Sequence, residues 1–260
     1  MEKILLKKSY QLNNLKKIKY DHLWGTKGIF TTIRLIGNLP NYILLSDHIK
    51  KFNKSIKIFK IDFILSKDFL FKALQSNLNI KKYDHLLRIA INKKKISISL
   101  RKRQKPNKKF SVVLKNYQRS LPNLKNLKYK KILNMQKNIN MKNEEIIFYN
   151  KGKLLEGSTT NIILYSNDKF IIPSKNYYVG ITLSYFIKKM PSLFLVKDIS
   201  LDQLSLYKEI ILVGSGKGVI SIASIKSINW YRSSTMMYKK LLKVYDKLLK
   251  ELNLKLIILI

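Results

Sequence analysis

The residues of this chain that could do chemistry together lie in one stretch of its second half. Glu156 is a carboxylate at the end of an apolar segment, directly before the turn-forming residues Gly157–Thr160. Farther on, Gly180 precedes residues whose apolar side chains recur at helical spacing. The backbone N–H groups of Ile181 and Thr182 are therefore predicted to lie at a helix N-terminus, where anions bind well.

A second glycine-bearing segment, Gly214–Gly218, follows an apolar run and contains Ser215. The pattern predicts a strand that ends in a tight turn, with Ser215 as a candidate hydroxyl donor. It is not a dinucleotide-binding fingerprint, because the residues after it predict more strand rather than a helix. As a bare pattern it fits a structural turn equally well.

Strands and helices must position these residues. Ser46 and Ser66 are predicted N-caps of two helices, the second with Leu70, Leu74 and Leu78 on one side, and a long helix is predicted near the end of the chain from Met237 onward. Short runs of β-branched and aromatic residues bounded by turn-forming residues predict strands. The clearest runs are 29–36, 86–91, 96–100, 110–114, 145–149, 161–165 and 170–172.

Composition excludes some chemistry and leaves one question open. The chain has no cysteine, so it cannot contain a disulfide, a thiol nucleophile or a cysteine-based metal site. Its net charge of +37 would suit nucleic-acid binding, but only six of its 52 basic residues are arginine, and lysine is enriched along the whole chain. The charge therefore favours a compositional bias of the genome over a nucleic-acid site.

The segments Leu155–Asn161 and Gly180–Thr182, with the strands and Pro173 between them, resemble the signature of the class IV (fold-type IV) pyridoxal-phosphate enzymes. These include branched-chain and D-amino-acid aminotransferases and 4-amino-4-deoxychorismate lyase. The resemblance covers roughly residues 24–225. It implies pyridoxal 5′-phosphate as cofactor, a homodimer and a two-domain fold of mixed α+β and α/β class.

The resemblance also assigns roles to residues. Lys125, in Leu124–Tyr129, precedes Glu156 by 31 residues and matches the Schiff-base lysine. Glu156 would hold the pyridine nitrogen protonated. The remaining residues implied as cofactor contacts, most of them at the phosphate, are Lys51, Thr159, Ile181, Thr182 and Ser215. Lys51 stands where the family has an arginine, so it can supply the charge but not the bidentate fork.

Two further residues are implied near the substrate. Thr31, in Phe30–Thr32, stands where many of the aminotransferases carry glutamate, and a threonine here is a feature of some aminodeoxychorismate lyases. Tyr129 is a candidate for contact with the cofactor's phenolic oxygen, although a core aromatic is an equally good interpretation. A second departure from the family is Lys27, which replaces the usual acid.

We expect an N-terminal α+β domain at 1–113, a linker at 114–123 and a larger domain at 124–260 that carries the lysine and most cofactor contacts. The expected activity is that of aminodeoxychorismate lyase, which releases 4-aminobenzoate and pyruvate on the way to folate. The alternative is a class IV aminotransferase acting on branched-chain or D-amino acids with 2-oxoglutarate. A more remote alternative is a basic nucleic-acid-binding protein derived from such an enzyme.

The N-terminal residues have too short an apolar core for a signal peptide, and no run approaches the length that spans a bilayer. We therefore expect a cytoplasmic enzyme with a small-molecule substrate and no membrane partner.

Overall fold

The computed structural model describes residues 4–75 and 80–257. The chain divides into two compact units. The first comprises Met1–Arg103, Leu124–Lys131 and Leu252–Ile260, and the second comprises Gln104–Asn123 and Ile132–Glu251. Within the described ranges, no helix combines the length and the apolar character needed to cross a membrane.

The first unit is built on a six-stranded antiparallel sheet in the order β2-β1-β6-β5-β3-β4. Alternate residues of its long central strands point to one face, where Ile33, Leu87 and Ile98 are fully buried in a single apolar core. The strands are β1 (Ile4–Gln11), β2 (Lys17–Ile18), β3 (Gly28–Gly37), β4 (Asn41–Tyr42), β5 (Tyr83–Asn92) and β6 (Lys95–Lys102).

Two helices, α1 (Leu45–Ile58) and α2 (Lys67–Leu74), add apolar residues to this core. The predicted N-cap of α2 is confirmed, because the Ser66 side chain accepts a hydrogen bond from the N–H of Phe69. The predicted N-cap of α1 is wrong. Leu44, in the left-handed region at φ 54°, begins that helix without a side-chain cap. Leu78, predicted to extend the apolar side of α2, lies outside the described residues.

The second unit contains two five-stranded sheets, in the orders β12-β11-β10-β13-β14 and β16-β15-β7-β8-β9. A second apolar core, with Phe110, Ile147 and Leu212 fully buried, takes residues from both sheets. The strands are β7 (Ser111–Asn116), β8 (Glu144–Asn150), β9 (Lys153–Gly157), β10 (Asn161–Ser166), β11 (Lys169–Ile172), β12 (Phe194–Val196), β13 (Glu209–Gly214), β14 (Gly218–Ser221), β15 (Ser224–Ile225) and β16 (Trp230–Tyr231). The remaining α-helices among the described residues are α3 (Lys130–Gln136), α4 (Ile181–Lys189) and α5 (Met236–Ile257).

The fold is of the mixed α+β and α/β class expected from the sequence. The domain boundaries 1–113, 114–123 and 124–260 stay a prediction, and the two compact units divide the chain differently. Strand β7 belongs to the second unit because it pairs in parallel with β8 from Ser111 to Asn116. Residues 124–131 belong to the first unit because their backbone hydrogen-bonds to the residues that lead into β3.

A buried carboxylate fixes the start of the last helix. Glu209, the first residue of β13, is fully buried. Its side chain accepts hydrogen bonds from the Ser234 hydroxyl at 2.8 Å and from the N–H groups of Met237 and Tyr238 at 2.9 and 2.8 Å. A residue distant in sequence therefore satisfies the first-turn donors of α5, which a local N-cap would otherwise satisfy.

We predict that Glu209→Ala lowers the free energy of unfolding by about 2–3 kcal/mol, because it leaves two helix N–H groups and a hydroxyl without their buried acceptor. Urea unfolding followed by circular dichroism measures the change. Asp202→Ala, at an exposed acid of the same unit, is the matched control and should change stability by less than about 0.5 kcal/mol. Equal effects of the two substitutions would contradict the assigned role.

Candidate active site

The second unit holds a buried ion pair centred on Glu156. Glu156 and Arg119 expose only 5% and 8% of their surface. The guanidinium donates from Nε to Oε1 at 2.6 Å and from its Nη2 to Oε2 at 2.9 Å. The fork–fork geometry holds the Glu156 carboxylate as an anion at the end of β9.

The segment after β11 connects Glu156 to the start of helix α4. The N–H of Tyr178 donates to Glu156 Oε2 at 3.2 Å, and its carbonyl accepts from Asn161 Nδ2 at 2.6 Å. Asn161 Oδ1 in turn accepts from the N–H of Gly180 at 2.8 Å. The Glu156 carboxylate and the Asn161 side-chain amide therefore fix the position of Gly180, the residue that precedes α4.

Helix α4 begins at Ile181 as predicted, and Gly180 is its N-cap residue. A Cβ at Gly180 would lie 2.5 Å from Asn161 Oδ1, so only glycine fits beneath that amide. Glycine supplies no side chain that could cap the helix. The first-turn N–H groups of the buried residues Ile181 and Thr182 point along the helix axis, at the positive end of the helix dipole. The arrangement suits a phosphate group.

The turn that follows Glu156 is held by a second acid. Glu145, on β8, is fully buried and accepts hydrogen bonds from the hydroxyls of Ser158 and Thr159, the latter at 2.6 Å. Gln136 Nε2 also donates to the Ser158 hydroxyl at 2.8 Å. The Thr159 hydroxyl therefore points to Glu145, although Thr159 as a whole is exposed. The role of Thr159 as a cofactor contact stays a prediction.

Ser215 lies in the turn between β13 and β14, as predicted. This turn approaches the one after Glu156, because a Cβ at Gly214 would lie 3.2 Å from the carbonyl oxygen of Thr159. The second unit therefore brings together Glu156, Thr159 and the turn that carries Ser215. A buried anionic carboxylate can accept a hydrogen bond from a protonated pyridine nitrogen, and an uncapped helix N-terminus can donate hydrogen bonds to a phosphate, so this unit fits pyridoxal phosphate.

In the first unit, Lys125 lies beside the start of β3. Its carbonyl accepts a hydrogen bond from the N–H of Phe30 at 2.9 Å, and its Nζ lies 5.2 Å from the centroid of the Phe30 ring. Tyr129 belongs to the same aromatic cluster, stacked on Trp24 at 5.4 Å and in edge contact with Phe30 at 5.4 Å. The cluster gives the lysine segment a fixed position, and contact of Tyr129 with the cofactor stays a prediction.

Thr31 and Lys51 share a buried neighbour, His48. The Thr31 hydroxyl lies 2.8 Å from His48 Nδ1, and both side chains are buried. Burial lowers the pKa of His48 to about 3, helped by the positive charges of Lys125 and Lys51. Burial also lowers the pKa of Lys51, with a smaller contribution from Lys54. The first unit therefore holds a neutral histidine in a positive field.

Arg119 is the functional residue that sequence reasoning missed. It lies within the predicted linker and has no motif of its own. Its only signal was its rarity, because arginine occupies six positions in a chain with 52 basic residues. Arg88, another of the six, places its guanidinium 3.6 Å from the Trp24 ring centroid in the aromatic cluster beside Lys125.

We predict that His48 makes stability depend on pH. A histidine whose pKa is lower in the folded than in the unfolded protein binds fewer protons when folded, so stability falls as the pH drops below the ordinary value of about 6.5. Between pH 6 and 4.5, the free energy of unfolding of the wild type should fall by about 1 kcal/mol per pH unit more than that of His48→Gln. Urea titrations at several pH values measure both slopes.

Above pH 7.5 the histidine is neutral in the unfolded protein as well. The free energies of unfolding of the wild type and of His48→Gln should therefore change equally with pH in this range, which is the internal control. Equal slopes of the two proteins between pH 6 and 4.5 would contradict the prediction.

Comparison with known proteins places this chain in a family. The model of class IV aminotransferases matches residues 28–225. No curated protein matches the chain. Among the solved structures that share the fold, three illustrate the range of activities, and each match covers most of both chains.

The branched-chain aminotransferase of Thermoproteus uzoniensis, solved with norvaline, has a TM-score of 0.74 at 21% identity over 92% of this chain and 93% of its own. A candidate 4-amino-4-deoxychorismate lyase of Legionella pneumophila has a TM-score of 0.71 at 17% identity over 85% and 91%. The T.th. branched-chain aminotransferase in complex with N-(5′-phosphopyridoxyl)-L-glutamate has a TM-score of 0.74 at 16% identity over 95% and 94%. The chain belongs to the class IV aminotransferase family, whose cofactor is pyridoxal 5′-phosphate.

Proposed function

We propose that this protein is a lyase that uses pyridoxal phosphate to convert 4-amino-4-deoxychorismate to 4-aminobenzoate and pyruvate. The observation that carries the choice of reaction is the buried hydrogen bond between Thr31 and His48. Thr31 stands where many aminotransferases of the family carry glutamate. A neutral hydroxyl in that place adds no negative charge that would repel the carboxylates of a substrate.

A substrate with two carboxylates is favoured most by the absence of that negative charge. Aminodeoxychorismate carries one carboxylate on its ring and one on its enolpyruvyl side chain, whereas a branched-chain amino acid carries one. Charge repulsion in partly buried surroundings is several times stronger than in water, so threonine in place of glutamate would matter most to the substrate with the second carboxylate. This argument supports the lyase over an aminotransferase whose amino donor is a branched-chain amino acid.

Bound pyridoxal phosphate supplies an electron-withdrawing ring conjugated to the substrate nitrogen. In our proposal, Glu156 holds a proton on the pyridine nitrogen, and Arg119 keeps that carboxylate ionised and oriented. The N–H groups of Ile181 and Thr182, the Ser215 hydroxyl and the ammonium group of Lys51 bind the phosphate. Each of these groups presents the charge or the donor that its partner on the cofactor requires.

Lys125 performs two tasks in this proposal. Its ε-amino group would hold the cofactor in the resting enzyme. With the substrate bound, the freed amine would take the proton from the ring carbon that bears the substrate nitrogen. The bond between the ring and the enolpyruvyl oxygen would then break, which makes the ring aromatic. Lys125 would return the proton to the methylene carbon of the side chain, which leaves as pyruvate.

We predict that borohydride reduction of the yellow holoenzyme fixes the cofactor on Lys125, which peptide mass spectrometry measures. Lys125→Ala should show no label and should lose activity by at least about a thousandfold, because both the attachment and the proton transfer are removed. Lys128→Ala, at the exposed neighbouring lysine, is the matched control and should keep label and activity. Label on another lysine in the wild type would overturn the assignment.

The alternative activity is that of an aminotransferase, which the fold shared with branched-chain aminotransferases also supports. One purified sample decides between the two. We predict that aminodeoxychorismate yields 4-aminobenzoate and pyruvate in equal amounts. Branched-chain and D-amino acids with 2-oxoglutarate should yield glutamate at less than about a hundredth of that rate, because an apolar amino donor lacks the second carboxylate. Glutamate formation without 4-aminobenzoate would reverse the proposal.

A further inference from the structure

A cavity of about 200 Å³ lies in the first unit, among residues to which no role has been given above. Three chain segments enclose it: the residues that lead into β3, the turn after α1, and the turn between β5 and β6. Its lining residues are Thr26, Lys27, Phe59, Ile61, Asn92, Lys93 and Lys94.

The cavity is lined by both apolar residues and lysines. Phe59 is half-buried and Ile61 is buried, and both contribute apolar side chains to the lining. Lys27, Lys93 and Lys94 are exposed lysines, and no lining residue is acidic. A compact ligand with an apolar body and a negative charge fits both parts, because the body would be removed from water while the charge stays near the ammonium groups.

The other polar groups of the lining are occupied by the protein. Asn92 Oδ1 accepts from the N–H groups of Lys94 and Lys95, both at 2.9 Å. The Thr26 hydroxyl donates to the Leu23 carbonyl at 2.9 Å and accepts from Asn92 Nδ2 at 3.3 Å. The lysine ammonium groups are therefore the charged donors of the lining, and they select for negative charge rather than for a pattern of hydroxyls.

We propose that this cavity binds a small aromatic carboxylate. The Phe59 ring and Ile61 take the ring of the ligand, and the three lysines take its carboxylate. The product of the proposed reaction, 4-aminobenzoate, has this chemistry, so the cavity would serve as a product-sensing site. The identity of that ligand rests on the proposed function, whereas the binding of an aromatic carboxylate does not.

The cavity is joined to the Lys125 segment by backbone hydrogen bonds. The N–H of Gly25 donates to the Leu127 carbonyl and the N–H of Leu127 donates to the Gly28 carbonyl, both at 2.8 Å. Thr26 and Lys27 lie between these two bonds, and the next bond along the strand is the one from Phe30 to the Lys125 carbonyl. A ligand that orders Thr26 and Lys27 therefore restrains the segment that carries Lys125.

Calorimetric titration of the holoenzyme with benzoate, 4-aminobenzoate and benzamide tests the proposal. Benzoate and 4-aminobenzoate should bind, and benzamide, which has the same ring without the charge, should bind at least tenfold more weakly. The double substitution Lys27→Glu and Lys94→Glu should weaken benzoate binding at this site at least tenfold. Lys67→Glu with Lys72→Glu, which makes the same charge change at exposed positions of α2, should leave it unchanged. Equal binding by the two double variants would overturn the proposal.

Hydrogen exchange with mass spectrometry locates the site without reference to catalysis. Saturating benzoate should slow exchange of the backbone amides in residues 26–30, 92–95 and 125–129 of the wild type but not of the Lys27/Lys94 variant. Absence of slowing in residues 26–28 and 92–95 would overturn the site even if the enzyme makes 4-aminobenzoate. If benzoate slows hydrogen exchange in these residues but the protein has no lyase activity, the aromatic-carboxylate site is upheld and the proposed function is refuted.

Discussion

The bidentate pair of Arg119 and Glu156 is the interaction on which the organisation of the second unit depends. A carboxylate that is 5% exposed would be too costly to keep ionised without a compensating charge. Arg119 supplies that charge with two parallel hydrogen bonds, and the Tyr178 N–H adds a third donor. Because Tyr178 and Gly180 are both bound by Asn161, the position of the α4 N-terminus follows from the position of the same carboxylate.

The parts of this site that sequence could predict are those with a local cause. Glu156 stands at the end of an apolar run before a turn, and Gly180 stands before a helical pattern, so β9 and the start of α4 follow from neighbouring residues. The resemblance selected Lys125 from 46 lysines, which no local pattern could do. The start of α4 at Ile181 and the turn that carries Ser215 are features for which sequence and structure agree.

The parts that sequence could not predict depend on contacts distant in the chain. Arg119 meets a carboxylate 37 positions away, and Glu209 reaches the first turn of a helix 28 positions later. Ser46 has the right residue type for an N-cap, but the chain enters α1 through Leu44 in a left-handed conformation. Tertiary packing decides which residue begins such a helix. The helix propensities of two residues differ by less free energy than a single buried hydrogen bond contributes.

The uneven use of arginine and lysine has a physical pattern. Lysines lie at exposed and half-buried positions along the chain, whereas several arginines occupy places where a planar group with fixed donors is needed. Arg34 and Arg103 share Asp84 at 3.0 and 2.8 Å, Arg88 lies on the face of Trp24, and Arg119 holds Glu156. A flexible ammonium would not reproduce these geometries. A bias toward lysine in the chain as a whole is thus compatible with specific arginine sites.

The attachment of α5 to Glu209 also concerns the order in which the chain is made. Helix formation is limited by its first turn, which fixes several residues for few hydrogen bonds. Here the acceptor for that turn lies on β13, so it leaves the ribosome before the helix does. The carboxylate is therefore synthesised 28 residues before Met237, so the acceptor for the last helix is already part of the chain when the residues of its first turn are added.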